Sequence, residues 1–159
     1  RHHAGGRRLM EGLCSALQIL AIAAWGIFAG AQLAEGCLLV PHWRSLRPTE
    51  FFDWYAANDR RLVAFFGPLT IAITLTSFAF TIAAIATWHP GRWSAVLSAV
   101  IATVVLAGFF AYFKDANARF AAGRIPPEAL PSELWRWALL HWVRTILALV
   151  AFAALLSSL

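Results

Sequence analysis

Four long stretches of the chain are almost entirely hydrophobic, and shorter polar stretches separate them. They cover about residues 13–40, 62–88, 93–113 and 134–159. Each is long enough to cross the hydrocarbon core of a bilayer, which takes about 20 residues in an α-helix. The pattern therefore predicts an all-α integral membrane protein. We expect a single domain over residues 1–159, folded as a four-helix bundle with an up-down-up-down topology.

The first polar stretch, residues 42–61, is rich in aromatic residues and reads HWRSLRPTEFFDWYAANDRR. Its pattern predicts an amphipathic helix that lies at the membrane interface and runs into the second span. Trp43, Trp54 and Tyr55 are typical of the aromatic belt that anchors membrane proteins at that depth. At the start of the fourth span, Ser132 follows Pro131 and is predicted to cap the helix.

Glu35, His141 and Arg144 carry ionisable side chains that fall well inside the predicted spans. An arginine at the centre of a membrane helix costs about 2.5–3.5 kcal/mol on insertion scales, so it must be paired or hydrated inside the bundle. An alternating topology brings these residues to one membrane face together with a further polar set: Asn58, Asp59, Asn117 and Glu133. The sequence thus predicts a polar cavity open on one side, floored by Arg144 and Glu35, with the other half of the bundle nearly pure hydrocarbon.

Composition agrees with a membrane protein, because 60% of the residues are hydrophobic. The formal net charge of +5 does not indicate nucleic-acid binding, since the basic residues sit in short loops at helix ends. The partner that they indicate is the lipid bilayer. Eight of the basic residues lie in the first and third loops or just beyond them, and four lie on the opposite side (Arg1, Arg7, Arg8 and Arg92). This bias favours a cytoplasmic position for loops one and three in a bacterial inner (plasma) membrane.

The buried polar set has three interpretations. It could form a site for a hydrophobic small molecule, or a purely structural ion pair between Glu35 and Arg144 with His141 bonded to a backbone carbonyl. The third is a metal site of Glu35, His42, His141 and a loop carboxylate. The chain has no tight ligand spacing such as H-x-x-x-H. The sequence therefore implies no cofactor strongly and leaves a divalent metal only as the weakest alternative.

Three segments together resemble the DUF1772 family, whose named members are anthrone-oxygenase-like membrane proteins. They are the end of the first span, LLVPHWRSL, then AANDRR entering the second span, and WRWALLHWVRT in the fourth. The resemblance covers nearly the whole chain and is most specific in the last segment. The chain departs from the family in carrying Glu35 and in placing His42 after Pro41. The matching positions are Pro41, Asn58, Asn117, Trp135, His141 and Arg144.

The resemblance implies oxidation of a hydrophobic phenolic or polycyclic substrate by molecular oxygen, without a classical bound cofactor. On this hypothesis His141 is the general base, since the ordinary pKa of imidazole, about 6.5, suits proton removal. Arg144 stabilises the resulting anion, and Glu35 completes the catalytic group. The remaining candidates bind and orient the substrate; they are Asn58, Asn117, Trp137, Trp142 and His42.

Two other functions stay open from the sequence. The chain could be a non-catalytic subunit of a larger membrane complex, or a homo-oligomer, with Gly26 and Gly30 forming a G-x-x-x-G contact face. It could also be a carrier or binder of a small anion, with Arg144 as the counter-charge. Four spans are few for a carrier, and the sequence shows no inverted repeat of the kind common in transporters.

Overall fold

Four long helices make up the fold of the chain. The structure, a computed structural model, describes residues 2–159, and the side chains of residue 6 and residues 9–159 among them. Helix α1 comprises the α-helix His2–Ala34, a π-helical turn at Glu35–Leu39 and a last turn at Val40–Ser45. Helix α2 is Pro48–Ala86, and α4 is Leu130–Leu156. Helix α3 comprises Arg92–Gly108, a second π-helical turn at Phe109–Phe113, and Lys114–Ala121.

All four helices are long and apolar enough to cross a membrane. This confirms the predicted all-α class and the four-helix bundle. Contacts between α1 and α2 join Cys14 to Thr87 and Trp25 to Ser77, so residue order runs in opposite directions in these neighbours. The same holds for α1 and α4, because Gln18 contacts Ser158, just beyond the end of α4, and Glu35 contacts Arg144. The up-down-up-down order across a bilayer, and the sidedness of the loops, stay predictions.

The amphipathic helix predicted in the first loop is present, and it runs into the second span as expected. Only Leu46 and Arg47 interrupt the helical chain between Ser45 and Pro48, and α2 then runs unbroken to Ala86. The break is sharp because Pro48 favours the first helical position and Glu50 accepts a hydrogen bond from the Arg47 amide at 2.9 Å. The predicted amphipathic segment and the second span are therefore one helix.

The assignment of Trp43 and Tyr55 to an aromatic belt is wrong. Their exposed fractions are 1% and 2%. Both pack in a cluster with Phe51, Phe120 and Trp137, whose rings lie 5.2–6.3 Å apart centroid to centroid. These aromatic residues form a closed core at one end of the bundle because α2 continues as a helix beside the last turn of α1.

The connection between α3 and α4 ends the first of these helices cleanly. Gly123 adopts φ +59°, and the amide of Arg124 bonds the carbonyl of Arg119 at 3.0 Å, as in a Schellman motif. Helix α4 then starts at Leu130, earlier than the sequence predicts. Ser132 is consequently inside the first turn, where its hydroxyl donates to the Ala129 carbonyl instead of capping the helix.

The core has two apolar clusters with a polar layer between them. One cluster contains Trp25, Phe28, Ile73 and Phe80, and the other is the aromatic end just described. Along α1 and α4, the residues between the two clusters include five buried or largely buried polar side chains: Gln32, Glu35, His141, Arg144 and Thr145. The half of the bundle expected to be nearly pure hydrocarbon also holds buried polar groups, Gln18, Ser77 and Ser98.

Candidate functional site

The polar layer joins α1 to α4 through three ionisable side chains. Oε2 of Glu35 lies 3.5 Å from Nη2 of Arg144 and 3.5 Å from Nδ1 of His141. The exposed fractions of these side chains are 6% for Glu35, 15% for Arg144 and 0% for His141. The carboxylate and guanidinium that the sequence places in separate spans therefore meet inside the bundle, where each offsets part of the cost of burying the other charge.

The hydrogen bonds of His141 define its role in this layer. Nε2 lies 2.9 Å from the carbonyl oxygen of Gln32, which can only accept, so Nε2 carries the hydrogen. Nδ1 then accepts from Nη2 of Arg144 at 3.0 Å. The imidazole also stacks on Trp137, with centroids 5.1 Å apart and planes 9° from parallel. His141 is thus a neutral, fully bonded side chain that orients Arg144.

An aromatic ring supports Arg144 on another side. The guanidinium carbon lies 4.3 Å from the ring centroid of Phe113, a cation–π contact that gains strength away from water. Arg144 is therefore held by Glu35, His141 and Phe113 together. These contacts hold the guanidinium in one orientation before any ligand binds.

A cavity of about 280 Å³ opens beside this layer, largely between α2 and α3. Its polar lining consists of Glu35, Tyr55, Asp59, Thr70, Asn117 and Arg144. Large apolar side chains provide most of the remaining wall, including Leu62, Phe66, Leu106, Phe109 and Phe110. Trp137 closes the back of the cavity, and its indole N–H donates to Oδ1 of Asn117 at 2.9 Å. The site is an apolar chamber with charged and amide groups gathered in its lining.

Four of the predicted site residues line this chamber: Glu35, Arg144, Asn117 and Trp137. His141 does not, because it lies behind Arg144 with both ring nitrogens engaged. Glu133, predicted on the same face, instead pairs with Arg119 at 3.2 Å. The predicted clustering of polar residues is therefore present in the polar layer, but fewer of the predicted residues take part in it than the sequence suggests.

Three predicted substrate-binding residues lie away from the chamber. Trp142 follows His141 and so points about 100° around the helix from it, where it is 36% exposed. His42 is exposed on the last turn of α1 and packs edge-on to Trp54 at 6.0 Å. Asn58 uses its amide within its own helix, donating to the Trp54 carbonyl at 2.8 Å.

Tyr55 is a cavity residue that the sequence interpretation places elsewhere, whereas Asp59 belongs to the predicted polar set and lines the cavity beside it. The signal that identifies them is helical spacing, because Tyr55, Asp59, Leu62 and Phe66 recur at intervals of three and four along one face of α2. That face runs along the helix that the sequence predicts to continue into the second span. The sequence interpretation assigns Tyr55 to the membrane interface from its residue type instead.

Both π-helical turns begin at a cavity residue, Glu35 in α1 and Phe109 in α3. A π-helical turn inserts one extra residue, which shifts the face presented by the helix, and such turns are frequent at functional sites. No residue pattern in the sequence indicates either turn. Their positions set the direction from which Glu35 and Phe109 meet the chamber.

No group of three or more His, Cys, Asp or Glu side chains able to hold a metal ion occurs in the part of the chain that the structure describes. Glu35 and His141 do lie together, but His42, the further ligand of the metal interpretation, packs against Trp54. The ligands of the predicted metal site therefore do not come together in the described part of the chain.

No family model matches the chain, and neither a curated protein nor a solved structure matches it. The resemblance to the DUF1772 family accordingly stays a prediction from the three motifs. The four apolar helices fit a membrane-integral protein. The features that bear on a specific function are the chamber and the polar layer beside it.

Proposed function

We propose that this membrane protein is an anthrone-oxygenase-like oxidoreductase that binds a hydrophobic phenolic or polycyclic molecule in the chamber and removes a proton from it. One observation carries the proposal: a carboxylate and a guanidinium, Glu35 and Arg144, lie 3.5 Å apart and both line a largely apolar cavity. A buried charged pair at a cavity wall, within a membrane-spanning bundle, is by default a functional-site hypothesis.

The chamber suits a flat hydrophobic molecule that carries an oxygen function. Its volume of about 280 Å³ is just below the usual range for small-molecule pockets, roughly 300–1,000 Å³, and so suits a small ligand. Phe66, Phe109 and Leu62 provide surfaces for aromatic rings. Asn117 and Arg144 provide amide and guanidinium groups that can orient an oxygen atom.

Within the proposal, Glu35 is the base. Its carboxylate takes a proton from the methylene carbon of an anthrone, and the guanidinium of Arg144 stabilises the negative oxygen of the enolate that forms. Molecular oxygen then oxidises the enolate, so that one anthrone and one O₂ give one anthraquinone and one water. His141 acts as a positioning residue, because its bonds to Gln32 and Arg144 leave no free ring nitrogen for the substrate.

The test measures anthrone oxidation by the purified protein in lipid nanodiscs, following oxygen consumption and anthraquinone formation above the spontaneous rate. We expect Glu35→Gln and Arg144→Gln to lower turnover by about 100-fold or more, as for loss of a general base or of an electrostatic stabiliser. The matched controls are Glu133→Gln and Arg119→Lys, a carboxylate and a basic residue outside the chamber. Equal turnover in Glu35→Gln and wild type would refute the proposal.

The small-anion alternative is less well supported by the geometry. Arg144 already has Glu35 at 3.5 Å, so an anion that enters the chamber meets the negative carboxylate as well as the guanidinium. In the proposed reaction, by contrast, Glu35 loses its charge as it takes the proton. The proposal that the chain is a subunit of a larger complex predicts a stoichiometric partner on purification in mild detergent. A self-contained protein with anthrone turnover would count against that proposal.

A further inference from the structure

The open side of the chamber has an apolar, exposed rim. Val63, Ile71 and Phe110 all line the cavity, and their exposed fractions are 60%, 60% and 61%. All three belong to helices long and apolar enough to span a membrane, Pro48–Ala86 and Arg92–Ala121. Exposed apolar side chains on such helices contact acyl chains. The chamber is therefore bordered, on this side, by the same surface that meets the hydrocarbon of the bilayer.

The middle of this rim is occupied by a glycine, which has no side chain. Gly67 lies one helical turn from Val63 and one turn from Ile71 on α2, and it too lines the cavity. A Cβ atom at Gly67 would meet no heavy atom within 4 Å. Space therefore continues past the backbone of α2 at this point, between α2 and the exposed ring of Phe110 on α3.

The aromatic end of the bundle offers no open route to the chamber. At the aromatic end, Trp43, Phe51 and Phe120 are at most 1% exposed and close the bundle. A second crevice, about 340 Å³, lies between α1 and α2 and reaches Glu35 from the opposite flank of α2. Glu35, Leu62 and Phe66 line both spaces, so these side chains lie where the two spaces meet.

We propose that the gap at Gly67, between α2 and α3, is a lateral entrance through which an uncharged, flat hydrophobic molecule with a hydroxyl group passes between the bilayer and the chamber. The inference rests on the proposed function, since it concerns how the substrate of that site arrives. A molecule of this class partitions into hydrocarbon, so a route through the membrane-facing rim avoids transfer through water. Gly67 sets the width of the entrance, and Phe110 forms its opposite side.

The test follows exchange of β-naphthol with the full-length protein in lipid nanodiscs, by stopped-flow tryptophan fluorescence. Gly67→Leu fills the gap, and it does so without a clash at its Cβ, because no heavy atom lies within 4 Å of where that atom would stand. We expect the association and dissociation rates to fall together, several-fold, with little change in Kd. The matched control is Gly30→Leu, which also meets nothing within 4 Å and does not line the chamber.

A second variant tests the same entrance in the opposite direction. Phe110→Ala removes an exposed ring and should raise both exchange rates. Because the ring is 61% exposed, its removal should leave the folded structure intact. Wild-type exchange rates in both variants would overturn the lateral entrance, and so would a weaker Kd in Gly67→Leu at an unchanged association rate. If wild-type protein shows no saturable β-naphthol binding, the proposed function itself fails. If β-naphthol binds but neither substitution changes its exchange rates, the lateral entrance is refuted and the proposed function is not.

Discussion

The guanidinium of Arg144 donates a hydrogen bond to Nδ1 of His141, one helical turn earlier in α4, across 3.0 Å. The opposite ring nitrogen bonds the Gln32 carbonyl of α1 at 2.9 Å. The imidazole therefore links the backbone of α1 to the guanidinium that lines the chamber and helps to set where that guanidinium lies. This arrangement explains why a histidine that never reaches the cavity can still affect what happens there.

Replacing this imidazole should affect both stability and turnover. His141→Phe keeps a ring against Trp137 but leaves the Gln32 carbonyl and Arg144 without their partner. We expect a loss of about 1–3 kcal/mol in the free energy of unfolding, the usual cost of an unsatisfied buried group. Thermal unfolding in detergent measures it.

Because Arg144 is then less well oriented, kcat should fall more than KM changes. His141→Gln, which offers both a donor and an acceptor, should recover part of both losses. A phenylalanine variant with wild-type kcat would show that the imidazole does not position Arg144.

Removing one partner of the buried ion pair should be worse than removing both. Glu35→Leu leaves the guanidinium of Arg144 without its carboxylate, and a broken buried pair typically costs about 3–5 kcal/mol. The double variant Glu35→Leu, Arg144→Leu should regain much of that stability, since no unpaired charge remains. A double-mutant cycle on chemical unfolding checks this, and strictly additive losses would mean that the two charges do not interact.

Two glycines of α1 should respond in opposite ways to the same substitution. In Gly36→Ala the new Cβ would lie 3.0 Å from Nε2 of His141 and 3.0 Å from Cζ2 of Trp142, so α1 and α4 must separate slightly. We expect a loss of about 1–3 kcal/mol in stability, as for overpacking. Gly30→Ala meets nothing within 4 Å and should be neutral or stabilising by up to about 1 kcal/mol. Equal melting temperatures for the two variants would contradict this packing.

The far half of the bundle should contribute stability without affecting the site. Nε1 of Trp25 donates to the hydroxyl of Ser77 at 2.8 Å, far along α1 and α2 from the polar layer. Ser77→Ala should lower stability by about 0.5–2 kcal/mol, the range for hydrogen bonds between membrane helices. Anthrone turnover per folded molecule should stay unchanged. A large loss of turnover at full stability would show that this half also takes part in function.

Much of the fold follows from hydrophobic length alone, and part of the site follows from the cost of burying charge. Glu35 and Arg144 can be paired from the sequence because an isolated charge in a span needs a partner. The close approach predicted for Gly26 and Gly30 is present only at Gly26, where a Cβ would lie 3.1 Å from the ring of Phe152. Spacing alone does not say which glycine faces a neighbour.

The remaining features depend on tertiary packing that periodicity does not encode. His141 is a natural general base by residue type, yet its partners are a backbone carbonyl and a guanidinium supplied by the fold. Tyr55 is typical of a membrane interface by residue type, yet it is buried inside the bundle. The π-helical turn at Glu35 leaves no mark in the residue pattern, although it directs the carboxylate toward the chamber.

The most direct measurement is the position of a bound hydrophobic phenol. Crystals grown in a lipidic mesophase with a brominated naphthol would locate the ligand through anomalous scattering from bromine. We predict a bromine peak inside the chamber, near Phe66 and Phe109, with the phenol oxygen directed toward Glu35 and Arg144. Bromine peaks confined to the outer surface of the helices, with the chamber empty at saturating ligand, would contradict the proposed site.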